Sequence, residues 1–336
     1  MKKLFLFLLC AVFAGPLNAA NANESDPTCT TRGVNLLDAL KKNDPATWDA
    51  LQKEAAAIPN HHGRIWKIEK DGTAPSYLFG TIHFSDPRVL DLPPTVKSAY
   101  QSADKVVIEA ADIIDPKTFL RIRVEQPDLL LFTDGSTLKS HLPPERVTEI
   151  EQKLAERGFV LDAVGKMKPF VLSSMLMLPQ CERERTGRGQ KMLDIVLATD
   201  AQAEGRPIEG LETTAEQFEA VERLPLDFQI RNFIAMVDYG DQLEDAMETT
   251  LQLYLQGETG LIMPALRKLA PDDLPDADYD LFQKVLITDR NHIMAERALP
   301  LLEQGNVFIA VGALHLPGKE GLVELLRAKG YSVSPL

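Results

Sequence analysis

The sequence has few cysteines and fewer basic than acidic residues. Its 336 residues include 3 Cys, and 36 Lys and Arg stand against 49 Asp and Glu, which gives a formal net charge of −13. No Cys-x-x-C pair is present, so redox and zinc motifs with that spacing are excluded. An acidic chain is poorly suited to bind nucleic acid or anionic lipid, because both carry negative charge. We therefore expect no nucleic-acid partner.

Signatures of several enzyme classes are missing as well. The sequence contains no His-Glu-x-x-His, no Gly-x-Ser-x-Gly and no complete Gly-x-Gly-x-x-Gly motif. The stretch from Gly312 to Lys319 is similar to a phosphate-binding P-loop, but its glycine spacing is wrong and Glu320 replaces the required Ser or Thr. A catalytic function must therefore depend on another set of residues.

The longest apolar run lies at the N-terminus and is too short to span a bilayer. Lys2 and Lys3 precede the apolar residues 4–14, and Ala20-Asn21-Ala22 offers a small-x-small cleavage site. These features predict a signal peptide over residues 1–22 and a mature single domain over 23–336 with no integral membrane segment. We expect the mature protein to be exported and soluble, in the periplasm or outside the cell.

Export would place two cysteines of the mature chain, Cys29 and Cys181, in an oxidising compartment. They are an even pair, so one disulfide between them is one expected outcome. The other outcome is two free or buried thiols, and the sequence leaves both open.

Hydrophobic periodicity predicts an α/β fold of the α+β type. From about residue 115 to 300 the patterns are typical of helices, with one short strand among them. A further helix is expected at 318–329. The predicted strands cover 64–70, 76–82, 105–109, 207–211, 306–311 and 331–333. We therefore expect a central sheet built from N- and C-terminal segments, with a large helical insert between them.

One motif occurs twice at the end of a predicted strand. Gly80 is followed three residues later by His83, and Gly312 by His315. Composition alone predicts about 0.36 Gly-x-x-His tetrads, so two in matching positions indicate a shared role. Glu109 ends a third buried strand. Because ligands collect beyond the carboxyl ends of strands in open α/β sheets, we expect the two histidines and Glu109 to face one crevice.

Two imidazoles and a carboxylate are compatible with more than one chemistry. They are a common ligand set for Zn²⁺, Mn²⁺ or Fe²⁺, and such a metal acidifies its bound water and polarises a scissile carbonyl. Without a metal, one histidine can act as general base while Glu109 orients it. A histidine without such a context is more often a packed or surface residue, and we expect this of His61, His62, His141 and His292.

Five segments have a specific pattern when they are taken together. They are residues 77–87, 107–109, 209–213, 290–294 and 311–318. In combination they resemble the TraB/PrgY/GumN family, which includes the TIKI proteases. The resemblance extends from about Ile65 to Val333, which is nearly the whole mature chain.

The resemblance implies a hydrolase, a metal-dependent peptidase in which His83, Glu109 and His315 are catalytic and hold one divalent metal (Mn, Co, Zn or Fe). It implies a peptide or small-molecule substrate. The wider superfamily is similar to erythromycin esterase, in which histidine and glutamate can act without a metal, so a metal-free esterase is one alternative. A second alternative is a non-catalytic module that binds a ligand or metal in the same crevice.

Further positions match the family outside the two motifs. For Glu212, Arg290 and Asn291 the resemblance implies that they support the site residues or bind substrate or an oxyanion. Helix packing and salt bridging are the alternative roles for these three. Asp194 matches an acid that the family often has before its insert helix, but Met192 replaces the glycine usual two residues earlier, so we do not assign Asp194 to the site.

Overall fold

A six-stranded mixed sheet forms the centre of the computed structural model, which describes residues 33–240, 242–269 and 275–336. Its strands are β1 Ile65–Glu69, β2 Ser76–Thr81, β3 Lys105–Ala110, β4 Ile208–Glu212, β5 Val307–Gly312 and β6 Ser332–Pro335. In the order β4-β3-β5-β2-β1-β6, the first four are parallel, whereas β1 pairs antiparallel with both β2 and β6. The carboxyl ends of four parallel strands therefore lie at one edge of the sheet.

Helices account for most of the remaining described chain. In chain order they are α1 Leu36–Asn43, α2 Pro45–Ala56, α3 Pro87–Leu90, α4 Pro94–Ser102, α5 Thr118–Glu125, α6 Leu138–His141, α7 Val147–Glu156, α8 Leu161–Val164, α9 Pro169–Met177, α10 Gln180–Gly187, α11 Leu193–Ala203, α12 Thr214–Glu222, α13 Leu226–Tyr239, α14 Gln242–Gln256, α15 Thr259–Leu269, α16 Asp276–Phe282, α17 Asp289–Leu302 and α18 Leu322–Ala328. Short 3₁₀ turns lie at Ala111–Ile114, Pro127–Leu129, Pro144–Arg146 and Ala313–His315, and a π-helical segment, Gln283–Thr288, leads directly into α17.

Strand pairing joins the two ends of the chain, as the periodicity predicted. β2 lies beside β5, with Gly80 opposite Val311 and Thr81 opposite Gly312. The predicted insert corresponds to α5 through α17 and contains the short strand β4. The predicted α/β fold with a sheet built from both chain ends and a helical insert is therefore confirmed.

Local sequence explains where elements near the site begin. Asp44 accepts a hydrogen bond from the Thr47 N–H, and a proline opens α2, so the chain turns between α1 and α2. Thr213 and Glu216 form a capping box at the start of α12, directly after β4. The amino end of α12 is therefore fixed close to the carboxyl end of β4.

The sheet separates two apolar layers. Phe308 and Ala310 of β5 pack in the layer that contains the helical insert, whereas Val307, Ile309 and Val311 pack in the layer that contains α17 and α18. Alternate side chains of a strand point to opposite faces, so both faces of β5 are buried, which explains its continuous apolar sequence. Within the described ranges, no helix combines the length and apolarity needed to cross a bilayer.

The predicted signal peptide, residues 1–22, lies outside the described residues, as does Cys29. Cys181 in α10 is buried and disulfide-bonded. The Cys29–Cys181 pairing and the single domain over 23–336 stay predictions.

Candidate active site

The two Gly-x-x-His segments place their imidazoles beyond the ends of adjacent strands. His83 follows β2, and His315 ends the 3₁₀ turn that follows β5. A Cβ atom on Gly80 would lie 2.7 Å from Leu316 Cδ1 and 3.0 Å from Ala313 Cα, in the segment that carries His315. The close approach of this turn to β2 therefore favours glycine at position 80, since an added side chain would require Leu316 and the backbone at Ala313 to shift.

Gly312, in the second motif, contacts the predicted site carboxylate. Its N–H donates to Glu109 Oε1 at 2.5 Å, and a Cβ on Gly312 would lie 3.0 Å from the same oxygen. Glu109 is the penultimate residue of β3, the other strand that pairs with β5. The backbone of the second motif therefore fixes the carboxylate.

His83 is oriented by an aspartate at the start of α11. Its Nδ1 lies 2.7 Å from Asp194 Oδ2, and the other Asp194 oxygen accepts a hydrogen bond from the Thr81 hydroxyl. Burial lowers the pKa of His83, but the charge and hydrogen bond of Asp194 outweigh burial and raise that pKa to about 9. Because Nδ1 is engaged, Nε2 is the nitrogen available for chemistry.

His315 is oriented by an amide instead. Its Nδ1 lies 2.6 Å from Asn291 Oδ1 and donates to that oxygen, so Nε2 keeps its lone pair. Nε2 lies 3.7 Å from Glu109 Oε1 and 3.4 Å from Arg290 Nη1. Burial lowers the pKa of His315 to about 3, because the opposing charge of Glu109 does not compensate for it. The ring is therefore neutral near neutral pH.

Arg290 is the centre of a buried charge network. Its guanidinium is fully buried and donates to Glu109 Oε2 at 2.8 Å and to the Glu212 oxygens at 2.6–3.1 Å. Gln217, on α12, also donates to Glu109 Oε2, at 3.0 Å. Burial raises the pKa of Glu109, but Arg290 and the two imidazoles outweigh it and lower that pKa to about 2, whereas burial raises the pKa of Glu212. Glu109 is therefore ionised, and donors occupy both of its oxygens.

All three predicted catalytic residues line one cleft. Its volume, which includes solvent at the mouth, is about 420 Å³. The floor is formed by Thr81, His83, Glu109, Gly312 and His315, and the wall by Ile82, Tyr254, Ile262, Ile287, Ala313 and Leu314. The fold thus brings together two histidines that are far apart in sequence, while Glu212, Arg290 and Asn291 lie behind the floor.

The donor chemistry of the floor fits a metal only in part. Both imidazoles have Nδ1 held by a neighbouring side chain, which is the usual arrangement of histidine metal ligands. The carboxylate of Glu109 does not fit as a third ligand, because its oxygens are taken by Arg290, Gln217 and the Gly312 N–H. Among the described residues, no group of three or more His, Cys, Asp or Glu side chains is placed to hold an ion. A metal shared by all three residues stays a prediction.

Sequence reasoning left out three side chains that contact the site. Asp194 holds His83 and Thr81 holds Asp194, and Asp194 matched a family position that we did not assign because of Met192. Gln217 holds Glu109, and its only sequence signal was its place in the first turns of α12, after the Thr213 capping box.

Buried charges anchor the segment that follows His83. The Ser85 N–H and hydroxyl donate to Glu182 Oε2 at 2.8 and 2.6 Å. Arg185 forms an ion pair with Glu182 and lies 3.4 Å from Asp86 Oδ2. Since an uncompensated buried charge is strongly destabilising, this cluster ties α10 to the segment after His83.

The chain is similar to known proteins over most of its length. The model of the TraB/PrgY/gumN family matches residues 64–335. The chain is 25% identical over 322 residues to Metalloprotease TIKI2 of Danio rerio, 27% over 316 residues to Metalloprotease TIKI1 of Danio rerio, and 24% over 314 residues to Metalloprotease TIKI1 of Homo sapiens. Each match covers 80% of this chain. No solved structure matches.

The match to these relatives is partial in length. The chain spans 60–62% of each of the three relatives. The family model, by contrast, covers most of this chain, including both Gly-x-x-His segments, Glu109 and the Arg290-Asn291 pair. The resemblance inferred from the motifs is confirmed, and the chain belongs to the TraB/PrgY/gumN family.

Proposed function

We propose that the protein is an exported, peptidase-like hydrolase that cleaves an amide bond in the cleft at the ends of β2, β3 and β5. The observation that carries the proposal is that two oriented imidazoles, His83 and His315, and the ionised Glu109 line one cleft. Relatives named metalloproteases support the reaction class. Export to the periplasm or extracellular space is proposed from the signal-peptide pattern of residues 1–22.

Proton transfer is assigned to His83. Asp194 fixes its Nδ1 and stabilises the imidazolium, so Nε2 can take a proton from water and return it to the leaving amine. Because Asp194 raises the pKa of His83 to about 9, the neutral, basic form of the ring increases as the pH rises toward that value. We expect the rate of hydrolysis to rise with pH over the same range.

His315 is suited to hold the attacking water, and Glu109 to stabilise the charge that forms on His83. His315 Nε2 can accept one hydrogen of the water, while the other hydrogen is the proton that His83 Nε2 takes; the ionised Glu109, whose Oε1 lies 3.7 Å from His315 Nε2, favours the His83 imidazolium by its charge. Arg290 keeps Glu109 ionised and fixed, and Asn291 sets the tautomer of His315. The buried network behind the floor therefore positions both side chains.

A metal-dependent peptidase is the second candidate function. The relatives' names imply a divalent metal, and the Nδ1 contacts of both His83 and His315 favour imidazole ligands for Mn, Co, Zn or Fe. Glu109 could become a metal ligand only if it gave up hydrogen bonds that it now accepts, among them the one from the cationic Arg290. Reaction steps are therefore assigned here to the side chains alone.

The test is hydrolysis of an internally quenched peptide library by the purified mature protein, before and after chelation, with metal content measured on the same samples. His83→Ala, Glu109→Gln and His315→Ala should lose activity. His292→Ala should keep it, because that side chain on α17 is 53% exposed.

The outcomes separate the hypotheses. Activity that is lost on chelation and restored by one metal assigns the metal-dependent reaction, and activity that survives chelation assigns the metal-free one. Cleavage of ester but not peptide substrates would identify an esterase. Ligand binding without turnover of any substrate would contradict the hydrolase and favour a binding module.

A further inference from the structure

The cleft has charged groups on its floor and an apolar wall. Ile262 comes from α15, Ile287 from the π-helical segment and Leu314 from the 3₁₀ turn after β5, and they are 2%, 3% and 8% exposed. We infer that these three side chains select a peptide with an aliphatic side chain next to the scissile bond. The inference rests on the proposed function, which it extends to a substrate class.

Two of the three wall side chains lie beside residues of the site in the chain. Leu314 immediately precedes His315, and Ile287 lies in the π-helical segment that leads into Arg290. Arg290 Nη1 donates to the Leu286 carbonyl, at 3.1 Å, within that segment. π-Helical turns are rare and are frequently found at functional sites. The position of the wall is therefore coupled to the position of the groups assigned to the reaction.

Polar atoms near the wall are already engaged. The Tyr254 hydroxyl donates to the Gly80 carbonyl at 3.0 Å, so its ring contributes apolar surface. The Thr81 hydroxyl donates to Asp194, and the Glu109 oxygens accept from Arg290, Gln217 and Gly312. A charged substrate side chain entering between Ile262, Ile287 and Leu314 would lose its water and be surrounded by apolar side chains.

The size of the cleft limits what can enter. Its volume of about 420 Å³ includes open solvent at the mouth, so the enclosed space is smaller than that. A single side chain fits this space better than a helix or a folded segment. Since one methylene in an apolar pocket changes kcat/KM by about 10- to 200-fold, leucine should be favoured over alanine by at least about tenfold.

The experiment compares peptides that differ at one position, with leucine, alanine, aspartate or lysine in an alanine background. Binding is measured by calorimetry on His83→Ala, and kcat/KM on the active protein. We expect the leucine peptide to exceed the aspartate and lysine peptides by at least about tenfold in both measurements.

Leu314→Ala should reduce the leucine preference by about tenfold. Leu301→Ala is the matched control, because Leu301 is 7% exposed and lies in the other apolar layer, and it should leave the preference unchanged. If Leu314→Ala does not fold, Ile262→Val can replace it. That substitution removes less apolar volume from the same wall and should also lower the preference for leucine.

These measurements distinguish a failure of the inferred side-chain preference from a failure of the proposed catalysis. A leucine preference in binding without cleavage would contradict the proposed function and support the inference. Cleavage or binding without a leucine preference, no binding of any peptide, or a preference unchanged in folded Leu314→Ala and Ile262→Val, would overturn the inference.

Discussion

Replacing Arg290 by methionine, which removes the charge and keeps a long side chain, tests the buried charge network. Arg290 is fully buried and forms ion pairs with both Glu109 and Glu212. Breaking a buried ion pair by removing one partner costs about 3–5 kcal/mol, because the other charge stays buried. Since the free energy of unfolding of a domain is about 5–15 kcal/mol, we expect the variant to fold but to be much less stable near neutral pH.

The loss of stability should shrink in acid. In the unmodified protein the pKa of Glu109 is about 2, below its ordinary 4.5, so this group contributes stability that is lost as the pH falls toward 2. Without Arg290, burial should raise the folded pKa of Glu109 above its unfolded value, and it should raise further the pKa of Glu212, which burial already raises. Each carboxyl then takes up a proton more readily in the folded state, so lowering the pH stabilises the variant relative to the unmodified protein.

Urea unfolding at about pH 7.5 and about pH 5 measures both effects. Arg297→Met is the matched control, because Arg297 lies on the same helix and its ion pair with Glu216 is partly exposed. Arg297→Met should lower the free energy of unfolding by at most about 1 kcal/mol. A loss in Arg290→Met no larger than in the control, or one that is equal at both pH values, would refute the argument.

Three further predictions concern single residues of the site. Asp194→Asn removes the charge that raises the pKa of His83, so the rise of hydrolysis rate with pH should shift to lower pH in a pH–rate profile. The pKa of His315 is depressed from 6.5 to about 3, so protonation of the unfolded state lowers stability as the pH falls between these values; His315→Gln should flatten the fall of Tm over that range. Gly80→Ala should lower both Tm and activity, because its Cβ would lie 2.7 Å from Leu316 Cδ1, whereas Gly187→Ala, which meets nothing within 4 Å, should have neither effect. An unchanged profile in Asp194→Asn, an unaltered acid slope in His315→Gln, or full activity in Gly80→Ala would contradict the respective argument.

Strand patterns and the repeated motif were sufficient to predict the sheet and the floor of the cleft. Alternation near 64–82 predicted β1 and β2, and the apolar run at 306–311 predicted β5, because burial on one or both faces of a strand is encoded in consecutive residues. The repeated Gly-x-x-His motif predicted that each imidazole follows the end of a buried strand. Parallel pairing of β2 and β5 then brings them to one edge of the sheet.

Contacts made across the insert could not be predicted in this way. The pairing of Asp194 with His83, and of Gln217 with Glu109, depends on how α11 and α12 pack beside the sheet, and no local pattern encodes that packing. The ion pair of Glu182 with Arg185 lies on one helix, but its contact with Ser85 is equally non-local. Helix periodicity also gave no sign of the π-helical segment before α17.

The most direct test of the central claim is kcat/KM of His83→Ala on a cleaved peptide, with Tm measured on the same sample. General acid–base catalysis contributes about 10²- to 10⁴-fold, so we expect a loss of at least about 10²-fold. The protein should stay folded, because the ring lies at the cleft with 23% of its side chain exposed, but its Tm should fall, because the buried Asp194 loses its partner. A folded His83→Ala protein that keeps the activity of the unmodified protein would contradict the assignment of this cleft as the active site.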